Sequence, residues 1–555
     1  MNSLIDLANL IFPDVEMTLD DLEKKYPPRD LDDGSEVTRF APSPTGFLHT
    51  GSLFTSLVAQ KVANQSKGVF YIRLEDTDTK REIEGSGNDL IEQLKVFGVI
   101  PDEGYLGDHE EGKYGPYKQS ARADIYKVVI KYLISIGRAY PCFCSHEELD
   151  ALRKVQEANK VIPGYYGEYA KCRNLTVDEQ MELIKQGKPY VIRFKSMGDH
   201  NNKIEVDDLV RGHLLLSEND QDIVIFKSDG LPTYHFAHLV DDHFMRTTCV
   251  TRGEEWLPSL PLHVELFKTM GWKAPKYAHL PVIMKLDNGV RRKLSKRKDN
   301  EAACSFFLKD GYPVYAFKQY LFTIANSNYE EWQRDNKDLT LDDFKFTFEK
   351  MSLDGALFDI DKLKYFSKEL LASFSGAKMK DFAKDYAKKY NQELYQLIVK
   401  DEDYFTKIMS IEKDKENPRK DYEKCADILE KVKFFYEPYF SNMVSEGLPY
   451  NENIDKKVIV DVLKDFIETL NYSVSEQDWF NNLKLLAVRH NFAESNKVYK
   501  ANKEQYLGSV NDIAEMVRIS LTTSKQSPNI YYVLNILGDQ EINRRINISI
   551  DVLSK

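Results

Sequence analysis

No run of about 18 apolar residues occurs in the chain, so no membrane-spanning helix is expected. The opening stretch, MNSLIDLANLIFPDVE, has neither a basic segment nor a small-residue cleavage site, so no secretory signal is read there. Six cysteines in 555 residues are too sparse for a disulfide scaffold and point to a reducing, cytoplasmic setting. A basic excess is also lacking: the formal net charge is −12, which excludes a non-specific nucleic-acid coat but leaves room for local basic faces. There is no G-x-x-x-x-G-K-[ST] and no G-x-G-x-x-G, so neither the P-loop nor the dinucleotide fingerprint applies. Internal repeats and low-complexity tracts are absent. What remains is an ordinary balance of 42% hydrophobic and 30% charged residues, enough for several cored domains.

The most informative stretch is residues 36–78, EVTRFAPSPTGFLHTGSLFTSLVAQKVANQSKGVFYIRLEDTD. Val37, Arg39 and Phe40 form a strand that breaks at Pro42 and Pro44. Gly46 and Gly51 bracket a short loop. Leu53, Leu57, Val58 and Val62 then fall at helical spacing. Residues 69–74 read as a second strand, ending in Glu75, Asp76 and Asp78. This is a β-α-β unit, which builds a parallel sheet with ligands at the carboxyl ends of its strands. Residues 79–82 (TKRE) read as a capping box opening the next helix.

Three segments of this stretch, RFAPSPTG at 39–46, HTGS at 49–52 and RLEDTD at 73–78, together resemble the amino-terminal signature of bacterial-type glutamyl-tRNA synthetases, members of the class I aminoacyl-tRNA synthetases. KLSKR at 293–297 lies downstream, where that class carries its second ATP motif. The resemblance extends over about residues 36–555. It implies an α/β catalytic half, a Rossmann-like parallel sheet with an α/β insertion, followed by an all-α C-terminal half.

On that basis residues 1–35 are an N-terminal leader with a short helix and no assigned chemistry. Residues 36–114 and 223–285 are the two halves of the Rossmann-like domain. Residues 115–222 are an insertion that would hold the acceptor end of tRNA, with strands near 190–194 and 204–210. A strand at 222–227 is expected to resume the main sheet. Residues 286–374 form a stem-contact region with the KLSKR loop, and residues 375–555 an all-α anticodon-binding region. In the tail, residues 480–488 and 508–518 fit amphipathic helices.

Two clusters raise the question of metal. Cys142, Cys144 and Cys172 supply three thiols where one variant of the family holds zinc. Structural zinc takes four ligands, and Tyr166, Tyr169 and His146 are the geometric candidates for the fourth, so zinc is left open. His235, His238, Asp241, Asp242 and His243 offer imidazole and carboxylate ligands; the alternative is a helix lining a substrate pocket, which the resemblance favours. His238 departs from the Asn that many members carry. No catalytic metal ligand is assigned.

The resemblance implies the following chemistry. ATP is a substrate and Mg2+ accompanies it; the partners are L-glutamate and tRNA-Glu, with no membrane, and the chain is a cytoplasmic monomer. His49, Lys293 and Lys296 are the catalytic candidates. Pro42, Ser43, Pro44, Thr45, Gly46, His49, Gly51, Ser295 and Lys296 would bind ATP. Arg39, Ser43, Glu75, Tyr234 and Arg252 would bind glutamate. An Arg fork suits a carboxylate in a way that Lys does not; a structural ion pair with Glu254 or Glu255 is the other reading of Arg252. Trp256 is open between core packing and ligand contact. A glutaminyl enzyme is disfavoured by Arg252 and the helical tail, a non-catalytic tRNA-binding homologue by the intact His49, Gly51, Lys293 and Lys296. Charging of tRNA-Gln as well is an open alternative.

Overall fold

The protein is described from a computed structural model, which covers residues 3–44, 46–78, 83–295, 297–353 and 355–555. The chain divides into two compact units: Met1–Phe307 with Phe317–Ile360, and Leu308–Ala316 with Asp361–Lys555.

In the first unit, the strands are β1 (Val37–Phe40), β2 (Val69–Ile72), β3 (Glu103–Tyr105), β4 (Glu110–Glu111), β5 (Ala139–Cys142), β6 (Val191–Phe194), β7 (Lys203–Asp208), β8 (Gly212–Ser217), β9 (Val224–Phe226), β10 (Cys249–Gly253), β11 (Lys276–Leu280), β12 (Ile283–Asp287), β13 (Val290–Lys293) and β14 (Ala356–Leu357). Eight of them make one sheet in the order β4-β3-β2-β1-β10-β11-β7-β8. The run from β3 to β7 is parallel, and antiparallel partners close both edges. All four residues of β1 and the first four of β10 are buried, as expected of strands covered on both faces. The chain runs outward from β1 to β3 on one side and from β10 to β11 on the other. The order therefore reverses between β1 and β10, and the crevice at the carboxyl ends of those two strands is where such sheets take ligands.

The β-α-β reading holds: Thr50–Gln65 is the helix between β1 and β2, and Val37↔Val69 to Phe40↔Ile72 sets their register. Gly68 lets the strands start close together, since a Cβ there would lie 1.9 Å from the Glu36 carbonyl oxygen. Residues 79–82, read as a capping box, lie outside the described residues; the helix that follows, Ser86–Val96, starts from Gly85 in a left-handed conformation with no side-chain cap.

Two strand assignments differ from expectation. Residues 224–226 do not resume the main sheet; β9 pairs with β6, in a three-stranded sheet with β5. Residues 203–208 do not belong to that small sheet; β7 joins β11 in the main sheet and turns back as β8. β7 alternates polar and apolar residues and β9 is a short apolar run, and neither pattern says which neighbour a strand will meet. The leader is not a separate appendage. Ser3 and Asp6 form a capping box for Leu4–Ile11, and Leu7 and Ala8 enter the same core as Ile125, Val129 and Leu133.

The second unit is helical, with no strand among its described residues. Glu476–Arg489 covers the first amphipathic stretch, and the second starts two residues later than expected, as Val510–Thr522, with Ser509 and Asp512 capping it. Their apolar faces meet in one core that includes Met379, Phe405, Trp479, Ile513 and Ile546.

Candidate active site

A cleft of about 1080 Å³ opens at the carboxyl ends of β1 and β10. Arg39, Ser43, His49, Gly51, Glu75, Tyr234, Arg252 and Lys293 all line it. Pro42, Pro44, Gly46 and Ser295 do not, and Thr45 and Lys296 lie outside the described residues. The two prolines shape the loop instead. The Pro42 carbonyl accepts from Glu75 N–H at 2.9 Å, and the Pro44 carbonyl accepts from Ile83 N–H at 3.0 Å and Ser86 Oγ–H at 2.7 Å.

His49 is the N-cap of the Thr50–Gln65 helix, its Nδ1 accepting from Gly51 N–H at 3.0 Å. With Nδ1 an acceptor, the neutral ring carries its proton on Nε2. A Cβ at Gly51 would sit 3.2 Å from that Nδ1, so glycine is what lets the imidazole fold over the helix N-terminus. A helix N-terminus favours phosphate. β13 ends at Lys293, whose ammonium is exposed and lies 3.1 Å from Glu255. The loop that follows is pinned across its base: Arg292 donates to both Asp299 oxygens at 2.6 and 2.8 Å, and Ser295 N–H reaches Asp299 at 2.8 Å. The same segment is stitched to the first motif, since Cys304 N–H donates to Leu48 O at 3.1 Å and Thr50 Oγ–H to Glu301 O at 2.6 Å.

The His/Asp block at 235–243 lies on the helix Tyr234–Phe244. Its acids are not grouped as metal ligands; each is spent on buried cations. Asp242 accepts from Arg73 Nη1 at 2.7 Å and from Arg39 Nε and Nη2 at 3.3 and 3.4 Å. Asp241 accepts from Arg122 Nε at 2.6 Å, Gln119 Nε2 at 2.8 Å and Tyr126 at 2.9 Å. Burial works against the Asp242 anion, and Arg39 and Arg73 overcome it, holding its pKa well below the usual range. Glu75 is raised by burial, with Arg73 opposing at 3.1 Å. Among the described residues, the group with ligand atoms close enough to share an ion is Cys142, Cys144 and Cys172, all within 4.8 Å. The oxygen beside them belongs to Tyr165, 3.3 Å from Cys144 Sγ, rather than to Tyr166, Tyr169 or His146.

Arg252 has a different environment. Its Nε donates to His279 Nε2 at 2.9 Å, its Nη1 to His263 Nδ1 at 3.1 Å and its Nη2 to Trp256 O at 3.5 Å. The ion pairs once weighed for it are made elsewhere: Glu254 pairs with Arg211 and Glu255 with Lys293. Trp256 lines the cleft, its ring 4.3 Å from that of Tyr234. The sequence reading missed Arg73, Asp208, His263 and His279. The last three stand in no motif, and only folding gathers them.

A parallel sheet with its cleft at the strand-order reversal, a histidine-capped helix on one side and a lysine-bearing loop on the other, defines the catalytic domain of a class I aminoacyl-tRNA synthetase. The family of class I tRNA synthetases (E and Q), catalytic domain, matches residues 36–364, and an anticodon binding domain matches residues 386–550. The chain is 44% identical over 541 residues to a glutamate–tRNA ligase of Acetivibrio thermocellus, covering 97% of this chain and 98% of that one. It is 44% identical over 542 residues to one of Clostridium perfringens, covering 98% and 99%. Among solved structures, a glutamate–tRNA ligase of Elizabethkingia meningosepticum in complex with its amino acid superposes with a TM-score of 0.74 at 30% identity, over 94% of this chain and all of that one. The chain belongs to the glutamate–tRNA ligase family. No helix among its described residues is long and apolar enough to cross a membrane.

Proposed function

We propose that the chain joins L-glutamate to tRNA-Glu in two steps at this cleft. An oxygen of the glutamate α-carboxylate attacks the α-phosphorus of ATP, the bond to the β-phosphate bridging oxygen breaks, and pyrophosphate leaves. The terminal 2′-hydroxyl of tRNA then attacks the adenylate carbonyl and AMP leaves. The carboxylate is already a nucleophile, so catalysis is positioning plus stabilisation of phosphate charge. His49 Nε2–H would donate to the triphosphate, and Lys293 and Lys296 would stabilise the departing pyrophosphate. Ser43 and Gly51 belong to the ATP side; Pro42, Pro44, Gly46 and Ser295 shape the two motif loops beside it, and Thr45 would join the ATP contacts as the resemblance implies. Mg2+ would arrive with the nucleotide and share its charge. Glu75 would take the glutamate ammonium, Arg252 the side-chain carboxylate, and Arg39, Tyr234 and Ser43 would complete the contacts.

The observation that carries this reading is Arg252: a guanidinium 5% exposed, in the cleft, with no carboxylate in ion-pair distance among the described residues. A buried cation without a counter-charge is a site for an anion. Glutamate-dependent ATP–pyrophosphate exchange, run with and without tRNA, tests the activity. Exchange driven by glutamine instead of glutamate would overturn the substrate assignment. Arg252→Ala should lose glutamate far more than ATP, and Lys296→Ala should slow adenylate formation with ATP binding less affected. Aminoacylation of purified tRNA-Gln decides whether the enzyme is discriminating.

The three thiols fit a structural zinc ion, with the Tyr165 hydroxyl beside them. The Cys172 thiol donates toward Cys142 and lowers it, while burial and the shared hydrogen bonds raise Cys144 and Cys172, so the cluster holds one thiolate readily and an ion would have to bring the other two to that state. We assign the site to holding the small β5-β6-β9 subdomain together, and the chain to the cytoplasm as a monomer.

A further inference from the structure

The Arg252 environment goes beyond its assignment as the carboxylate-binding residue. Arginine can only donate. His279 Nε2 and His263 Nδ1, at 2.9 and 3.1 Å from Arg252 nitrogens, must therefore be acceptors, and each ring's proton sits on its other nitrogen. Both remote nitrogens have partners that suit this. His279 Nδ1–H faces Asp208 Oδ2 at 2.6 Å, and His263 Nε2–H faces His235 Nδ1 at 3.0 Å. Asp208 is itself fixed by the backbone N–H groups of Val210, Arg211 and His279, at 3.0, 2.9 and 3.1 Å. His263 and His279 are fully buried, and desolvation holds both imidazoles neutral.

Two of the three anchors of Arg252 are thus uncharged rings, and the third is a carbonyl. Of its five N–H groups three are used, leaving one on each of Nη1 and Nη2. Arg39 shows the contrast, because Asp242 takes two of its nitrogens and neutralises it directly. A carboxylate in place of either histidine would orient Arg252 equally well but would compete with an anionic substrate. An imidazole orients it and leaves the charge in place.

We propose that His279 and His263 are positioning residues that hold the Arg252 fork through neutral acceptors, so that its undiminished charge selects a side-chain carboxylate over a carboxamide. The proposal rests on the reading that Arg252 receives the glutamate side chain. A carboxamide brings no charge, and its NH2 would face donors.

The two rings present different nitrogens to Arg252, which gives a crossed test. Gln reaches the Nε2 position of a histidine and Asn the Nδ1 position. In the full-length enzyme, aminoacylation kinetics are measured for His279→Gln, His279→Asn, His263→Asn and His263→Gln, with Arg252→Ala as reference. At position 279 Gln should keep the glutamate KM near wild type, while Asn raises it roughly tenfold, the loss of one hydrogen bond to a charged group. At position 263 the order should reverse. ATP KM and kcat at saturating glutamate should stay within about twofold of wild type, and the preference for glutamate over glutamine should fall with the glutamate KM effect. A merely structural role would penalise substitutions by size and stability, without the reversal. If Arg252→Ala weakens glutamate and the reversal is missing, the positioning proposal is wrong and the Arg252 reading stands. If Arg252→Ala leaves glutamate unaffected, the underlying reading fails, and the proposal with it.

Discussion

Arg39 at the end of β1 and Arg252 at the end of β10 open into the same cleft, but Asp242 accepts from Nε and Nη2 of the first while the second rests on His279 and His263. The two guanidiniums are therefore not equivalent. The first lines the cleft already paired with a carboxylate, and the second has no carboxylate beside it among the described residues and keeps its full charge for whatever binds.

Removing the negative charge of Asp242 should be severe. Asp242→Asn leaves Arg39 and Arg73 buried around a neutral amide. Breaking a buried pair in this way costs about 3–5 kcal/mol. Thermal melting should show a midpoint several degrees lower, with glutamate protecting the variant less than the wild type. A midpoint within a degree of wild type would remove Asp242 from the framework of the site.

Gly51→Ala should act through His49. The new Cβ would press on Nδ1 from 3.2 Å and displace the ring from its capping position. The loss in stability should be about 1 kcal/mol, that of a helix N-cap. Single-turnover adenylate formation should fall by roughly tenfold or more, with glutamate protection against melting retained. An unchanged single-turnover rate would separate the imidazole from the phosphates.

Acid should destabilise the first unit through its buried imidazoles. His235 and His238 are lowered to about 4 by burial, from an ordinary 6.5. Between those values the unfolded chain takes up protons that the folded chain refuses, so stability falls as pH drops through the window. It is unaffected by these groups above about 6.5. The slope is on the order of 1 kcal/mol per pH unit for each ring. Asp242, held low by Arg39 and Arg73 against the effect of burial, adds loss further down, whereas Glu75, raised by burial, works in the opposite direction. Melting at constant ionic strength should give a lower midpoint at pH 5 than at pH 7; a flat profile counts against the neutral assignment.

Metal content tests the thiol cluster. The purified chain should carry about one zinc per molecule, the stoichiometry of a closed structural site, and Cys172→Ser should lose it. Wild-type protein that neither contains zinc nor takes it up on titration would leave the three cysteines as reduced packing residues.

How much of this was legible beforehand follows from the range of each interaction. The β-α-β unit, the helical tail, and the placing of Arg39, His49, Glu75, Tyr234, Arg252 and Lys293 in one cleft could be expected from residues 36–78 and 293–297 and from the resemblance they carry. Periodicity, caps and turn residues are local, and a chain carries local preferences in its order. The strand partners could not be read this way. β7 and β9 exchanged their expected sheets because a strand's pattern records which face is buried and not which edge it joins. The same holds within the site. Asp208, His263 and His279 come from two strands and a helix, outside any motif, and meet around Arg252 only when β7, β10 and β11 align. The identity of the charged residue was determined by sequence alone. Whether its charge would be cancelled or left for a substrate was decided by the fold, because that depends on neighbours brought within 3 Å by tertiary packing.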